Sequence, residues 1–103
     1  MTEYWVSHKR MNADGDRIEQ VKTMMKKPEG GLNNIGEYTR NQVVNSIEND
    51  NDWFTCTFDR KEGKTTYWNK GEKIHIITVN GTKFIRTDKN KTDSDNLGEL
   101  PNF

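Results

Sequence analysis

A thiol acts as a nucleophile only when a base lies within hydrogen-bond reach and its surroundings lower its pKa. The chain offers one cysteine, Cys56, and two histidines, His8 and His75. Cys56 sits at strand spacing between Phe54 and Phe58, which puts it on an apolar face where burial keeps the thiol inert. His75 stands between Ile74 and Ile76, as expected of a surface or satisfied strand histidine. No Gly-rich phosphate loop, nucleophile elbow, HExxH or GxGxxG occurs, and no Cys/His set has zinc spacing. We expect no catalytic residues and no enzyme activity.

Two further constellations could bind an ion. Asp88, Asn90, Thr92, Ser94 and Glu99 fall at offsets 1, 3, 5, 7 and 12, as in a calcium-binding loop. The sixth position, which needs glycine for its sharp turn, is Asp93, and a strand rather than a helix precedes the loop. An Asx-rich turn is therefore expected, with no metal and no cofactor. Arg86 could instead grip phosphate bidentately. Thr87, the loop glycines Gly30 and Gly31, and Trp68 would complete a pocket for a nucleotide-like anion. Its competitor is an ordinary strand arginine paired with Asp93 or Asp95. Single-stranded nucleic acid would draw on Trp5, Trp53, Tyr67 and Trp68 beside Lys9-Arg10, Lys26-Lys27 and Arg60-Lys61. Against it stand 16 acidic residues that cancel 16 basic ones.

That neutral balance gives no bulk attraction to nucleic acid or anionic lipid. The 103 residues suit a single domain, 1–103, and a mean hydropathy of −1.10 allows only a thin core. Nothing approaches a membrane span, and the N-terminus shows no apolar signal region, so a cytoplasmic protein is expected. A lone cysteine suits a reducing compartment. One Ala and three Leu against 11 Thr, seven Ile and five Val tilt the fold towards sheet.

The elements follow from pattern. Residues 4–8 and 17–25 read as a hairpin across the turn Asn12-Ala-Asp-Gly15, with a bulge to reconcile Ile18 and Val21. Residues 26–37 carry Pro28 and three glycines and read as a loop. Thr39 with Gln42 forms a capping box, Tyr38 and Val43 fall at hydrophobic-staple positions, and Val43, Val44 and Ile47 make one helical stripe. Strands follow at 53–58, 65–68, 74–79 and 83–87, with a turn at Asn69-Lys-Gly71. Val79-Asn-Gly-Thr82 has the chemistry of a type I′ turn. The architecture is α+β, roughly ββαββββ: a mostly antiparallel sheet of five to six strands with one short helix on it. Its core would use Val6, Ile18, Val21, Val43, Ile47, Phe54, Phe58, Ile74, Ile76 and Phe84. The polar tail, 88–103, ends in Leu97, Leu100, Pro101 and Phe103, spaced to dock back on the sheet.

The tail also carries a resemblance. Ile85-Arg86-Thr87, then Asp95-Asn96-Leu97, then Leu100-Pro101, is similar to the closing pattern of a bacterial and phage family, domain-of-unknown-function family 3892. The opening Tyr4-Trp-Val-Ser-His8, the Ile18…Val21 spacing and the Thr39…Val43…Ile47 helix resemble it too. The resemblance implies a compact bacterial or phage domain and no particular activity. With no catalytic motif, the leading expectation is a binding or regulatory module acting by protein contact, with an unknown partner or as a homodimer. The alternatives are a sensor or sponge for a nucleotide-like anion, in a phage or defence setting, and a weak single-strand binder.

Overall fold

Three strands, not two, precede the helix. The structure is a computed structural model that describes residues 2–88 and 94–103. In it β1 (Glu3–Met11) and β2 (Ile18–Lys26) form the opening hairpin and β3 (Leu32–Thr39) follows. Then come α1 (Arg40–Glu48), β4 (Asp52–Glu62), β5 (Thr65–Lys73), β6 (His75–Val79) and β7 (Thr82–Arg86). β3 occupies much of the segment expected to be a loop. None of its residues is fully buried, so the apolar alternation that advertises a strand is missing. A register shift beside the Thr23–Gly36 pair accommodates the glycine, whose φ is +95°.

Five strands make one sheet in the order β3-β2-β1-β4-β5, while β6 and β7 pair separately. β3 runs the same way as β1, and α1 carries the chain across to β4 in that direction again. β1 and β4 therefore pair in parallel, Glu3–Val6 against Asp52–Thr55. The sheet is mixed, with three antiparallel ladders beside that parallel one. The protein is broadly α+β, in the order βββαββββ.

The helix starts where its cap predicts. Thr39 Oγ1 accepts from the Gln42 N–H (3.2 Å), and Gln42 Oε1 accepts from the Thr39 N–H (2.8 Å). α1 buries Val43 and Val44 against Val6, Val21, Trp53, Ile74 and Ile85. Trp53 stacks on Tyr4 at 4.6 Å between centroids, and its indole N–H donates to Ser46 Oγ at 2.9 Å. The alternation in β4 is real, but its helix-covered residue is Trp53, fully buried. Phe54 and Cys56 lie in a second cluster with Trp5 and Met24, and Phe58 is 59% exposed, so neither phenylalanine joins the core under the helix. Two facing sets of large apolar residues on one strand leave alternation unable to say which side is roofed.

The expected turn at residues 69–71 is instead part of β5. Gly71 lies where the β4–β5 register shifts between Phe54 and Cys56, and a Cβ there would come within 2.5 Å of Thr55 Oγ1 and 3.0 Å of its carbonyl oxygen. That glycine marks a bulge with close backbone approach, not a reversal. The Asn80-Gly81 turn does reverse the chain, with φ of 50° and 81° as a type I′ turn requires.

The tail lies against the body. Leu97 and Leu100 are buried. The Lys9 N–H donates to the Pro101 carbonyl and the Phe103 N–H to the Lys9 carbonyl, at 2.9 and 3.1 Å. Among the described residues no helix is long and apolar enough to cross a membrane.

Candidate functional site

Arg86, the expected anion ligand, is fully engaged within the fold. It is 5% exposed. Its Nε and Nη2 donate to the two oxygens of Asp88 (2.6 and 3.1 Å), and Nη1 donates to the Ser94 carbonyl (2.8 Å) and hydroxyl (3.1 Å). The bond to Asp88 raises the guanidinium pKa further, against the opposing pull of burial. Of the two expected partners, Asp93 lies outside the described residues. Asp95 accepts two buried backbone N–H groups instead, Ile18 (2.7 Å) and Ile85 (2.8 Å), with Arg40 Nε at 3.7 Å. Thr87 donates its N–H to the Asn96 carbonyl at 2.9 Å. The signature in the tail is thus a structural staple joining β2, β7 and the C-terminal segment.

The calcium-type spacing fares no better. Asp88 and Ser94 both serve Arg86, Glu99 is exposed, and Asn90 and Thr92 lie outside the described residues. Among the described residues no group of three or more His, Cys, Asp or Glu could hold a metal ion.

Cys56 is buried, and its thiol donates to the Val6 carbonyl at 3.5 Å rather than to a histidine. Burial pushes the thiol pKa up to about 12. His8 shares a 2.8 Å hydrogen bond with Ser7 Oγ, and its pKa is lowered by burial and then by Lys22. His75 is half-buried on β6, opposite Arg86. A disulfide reagent at pH 8 should leave Cys56 unmodified in the folded protein and label it in denaturant, since the folded thiol holds roughly a thousandfold less thiolate. Fast labelling of native protein would contradict this burial. The sign of linkage is fixed as well. A thiol pKa raised on folding adds stability that is whole below pH 9.0, the ordinary thiol value, and is lost as pH climbs towards about 12.

Among the described residues, a chemically distinctive surface lies on the sheet face away from α1. The register shifts at Phe54/Cys56 and Phe58/Arg60 bend the β4–β5 arm. Its turn shares an open groove of about 750 Å³ with the β2–β3 turn. Lys26, Lys27, Gly31, Leu32 and Asn34 line one side, Lys64 to Trp68 the other, with Trp5 and Met24 between them. Three lysines and no carboxylate face it. Among the described residues none of the three is in an ion pair. Lys26 Nζ lies 5.7 Å from the centre of the Trp5 ring. Nearby, burial pulls the Glu3 pKa up, but the hydrogen bond from the Trp5 indole (2.6 Å), the pairing with Lys70 (3.3 Å) and the charge of Lys26 together hold it low.

Of the residues expected to form a ligand pocket, the structure brings only Trp68 and Gly31 to this groove. Gly30 sits in the neighbouring turn outside its lining, and Arg86 and Thr87 belong to the β7–tail staple. Lys26-Lys27, Trp5 and Tyr67 join it from the set considered for nucleic acid. Lys64, Leu32 and Asn34 were not legible as site residues, because only the lie of the two turns in space brings them there.

A family model described as Protein of unknown function (DUF3892) matches residues 5–101, from β1 to Pro101 of the tail. No curated protein and no solved structure matches the chain.

Proposed function

The chain belongs to the family described as Protein of unknown function (DUF3892), and we propose that it is a non-catalytic binding module that takes a nucleotide-like anion in the groove. One observation carries this reading. In a chain with equal numbers of acids and bases, three lysines free of ion pairs converge on a surface lined by no carboxylate. Ammonium groups with no carboxylate in contact favour an anion. The half-buried Trp68 offers a ring to a base, and Tyr67, 40% exposed, keeps one ring face open beside the Arg60 guanidinium that covers the other at 4.4 Å. The proposed site therefore moves from Arg86 to Lys26, Lys27 and Lys64. A free buried thiol and the lack of a membrane-crossing helix among the described residues favour a cytoplasmic setting.

The test is a thermal-shift series with nucleoside phosphates and a short oligonucleotide. A ligand at 100 times its dissociation constant adds about 2.7 kcal/mol, which for a chain of this length raises Tm by roughly 10–20 °C. Lys64→Ala should shrink that shift while leaving the unliganded Tm within about 2 °C, because Lys64 is exposed. If neither single nucleotides nor oligomers move Tm, the reading fails.

A second reading, contact with protein, rests on a different observation. β5 closes one edge of the sheet, and eight of its nine residues are exposed. Such an edge can accept another strand, from a partner or a second copy. A strictly monomeric mass at high protein concentration would count against the second copy.

A further inference from the structure

We propose that the anion is a single-stranded nucleic acid, bound without regard to sequence and running from the lysine groove along the β4–β5 arm over Phe58. This rests on the anion-binding reading and names its ligand class.

Three observations carry it. The first is that the aromatic surface does not stop at the groove. Phe58 pairs directly across the arm with Trp68, their centroids 5.9 Å apart and edge to face, so both lie on one face. Phe58 is the most exposed large apolar side chain among the described residues. A pocket for one nucleotide needs no second platform beyond its wall; a strand of successive bases does. Stacking on such platforms tolerates any base, because every base has a π face.

The second is the shape and polarity of the site. Pockets for small ligands enclose them and orient them with a few well-placed polar groups. This groove is open, and its charges are lysine tips, which grip phosphate as point charges. Among the described residues every buried side-chain nitrogen and oxygen has a hydrogen-bond partner. No buried donor or acceptor is held back to read a base edge, and the polar groups that do line the groove, Asn34, Thr65 and Thr66, are exposed, so charge and stacking lead the recognition.

The third excludes a duplex. Its bases hide their π faces in the stack, leaving Trp68 and Phe58 nothing to pack against. A chain of zero formal net charge also lacks the broad positive field that duplex binders use.

The experiment titrates the intact protein with fluorescein-labelled oligodeoxyuridylates and oligouridylates, from one nucleotide to about a dozen, at several salt concentrations. Affinity should rise at least tenfold between one nucleotide and about six. The logarithm of the association constant should fall against the logarithm of salt with a slope near −2, three phosphates at about −0.7 each. Phe58→Ala should weaken the longer oligomers about tenfold and leave a single nucleotide unchanged. Equal affinity for both sugars means the strand is recognised without its 2′-hydroxyl; a preference for one assigns the source as DNA or RNA. A single nucleotide that binds as tightly as the longest oligomer, with Phe58→Ala silent, overturns the strand and leaves the anion reading standing. Loss of all binding by every oligomer and nucleotide overturns both.

Discussion

Asp95→Ala should cost about 4 kcal/mol of folding stability, read from urea unfolding of the variant beside the parent. The carboxylate is buried and accepts the N–H groups of Ile18 and Ile85 at 2.7 and 2.8 Å. Alanine leaves both buried donors without an acceptor, and each orphaned group costs about 1–3 kcal/mol. A domain of this size has about 5–15 kcal/mol in total, so the variant should unfold near physiological temperature. Asp95→Asn keeps one acceptor oxygen and turns its amide towards the other donor, and should lose less than alanine does. Burial raises the Asp95 pKa above its ordinary 3.8, outweighing the two backbone N–H groups and Arg40, which pull the other way. The folded state thus takes up its proton at a higher pH than the unfolded chain. This group's contribution is full below pH 3.8 and falls as pH rises through the folded pKa. The stability gap between the parent and Asp95→Asn should accordingly widen as pH is lowered from 7 towards 4. A gap that narrows would mean that the two N–H groups outweigh burial.

Asp95 also shows what the chain discloses and what it withholds. Asp95-Asn96-Leu97 is visible as a pattern, yet its purpose depends on Ile18, 77 positions away. Tertiary partners of that kind leave no local trace. Local rules did their work where the reason was local: the Thr39–Gln42 box, the Asn80-Gly81 turn and the helical stripe at Val43 and Val44 all stand where spacing put them. β3 escaped because a strand whose side chains are mostly exposed carries no alternation, and its glycines imitate a loop. Gly71 misled in the reverse sense, since a glycine required by close approach of Thr55 looks in sequence like one required by a turn. The groove was half legible. Its aromatics and Lys26-Lys27 could be named, but their meeting with Lys64 is a matter of how the β4–β5 and β2–β3 turns lie in space. Arg86 drew attention for its chemistry, and chemistry alone could not reveal that Asp88 and Ser94 already hold it.

The second large effect separates the two faces of β4. Trp53→Ala should destabilise by about 3–5 kcal/mol, the range for removing a fully buried large aromatic. It deletes the stack on Tyr4, the edge contact with Tyr38 at 5.5 Å and the hydrogen bond to Ser46 that ties the strand to α1. Phe58→Ala, five positions along the same strand, should cost only about 1 kcal/mol, because its ring is 59% exposed and loses chiefly its edge-to-face contact with Trp68. Both values come from denaturant unfolding followed by far-UV circular dichroism, where loss of either indole or phenyl ring does not remove the probe. The contrast tests the fold at its most consequential point. If Phe58 proved the costlier loss, the helix would have to cover the opposite face of the sheet, and the lysine groove would lie beneath it. If the order is as argued, Phe58 contributes little beyond its edge-to-face contact with Trp68. Most of the ring then stays open to the strand proposed to run over the arm.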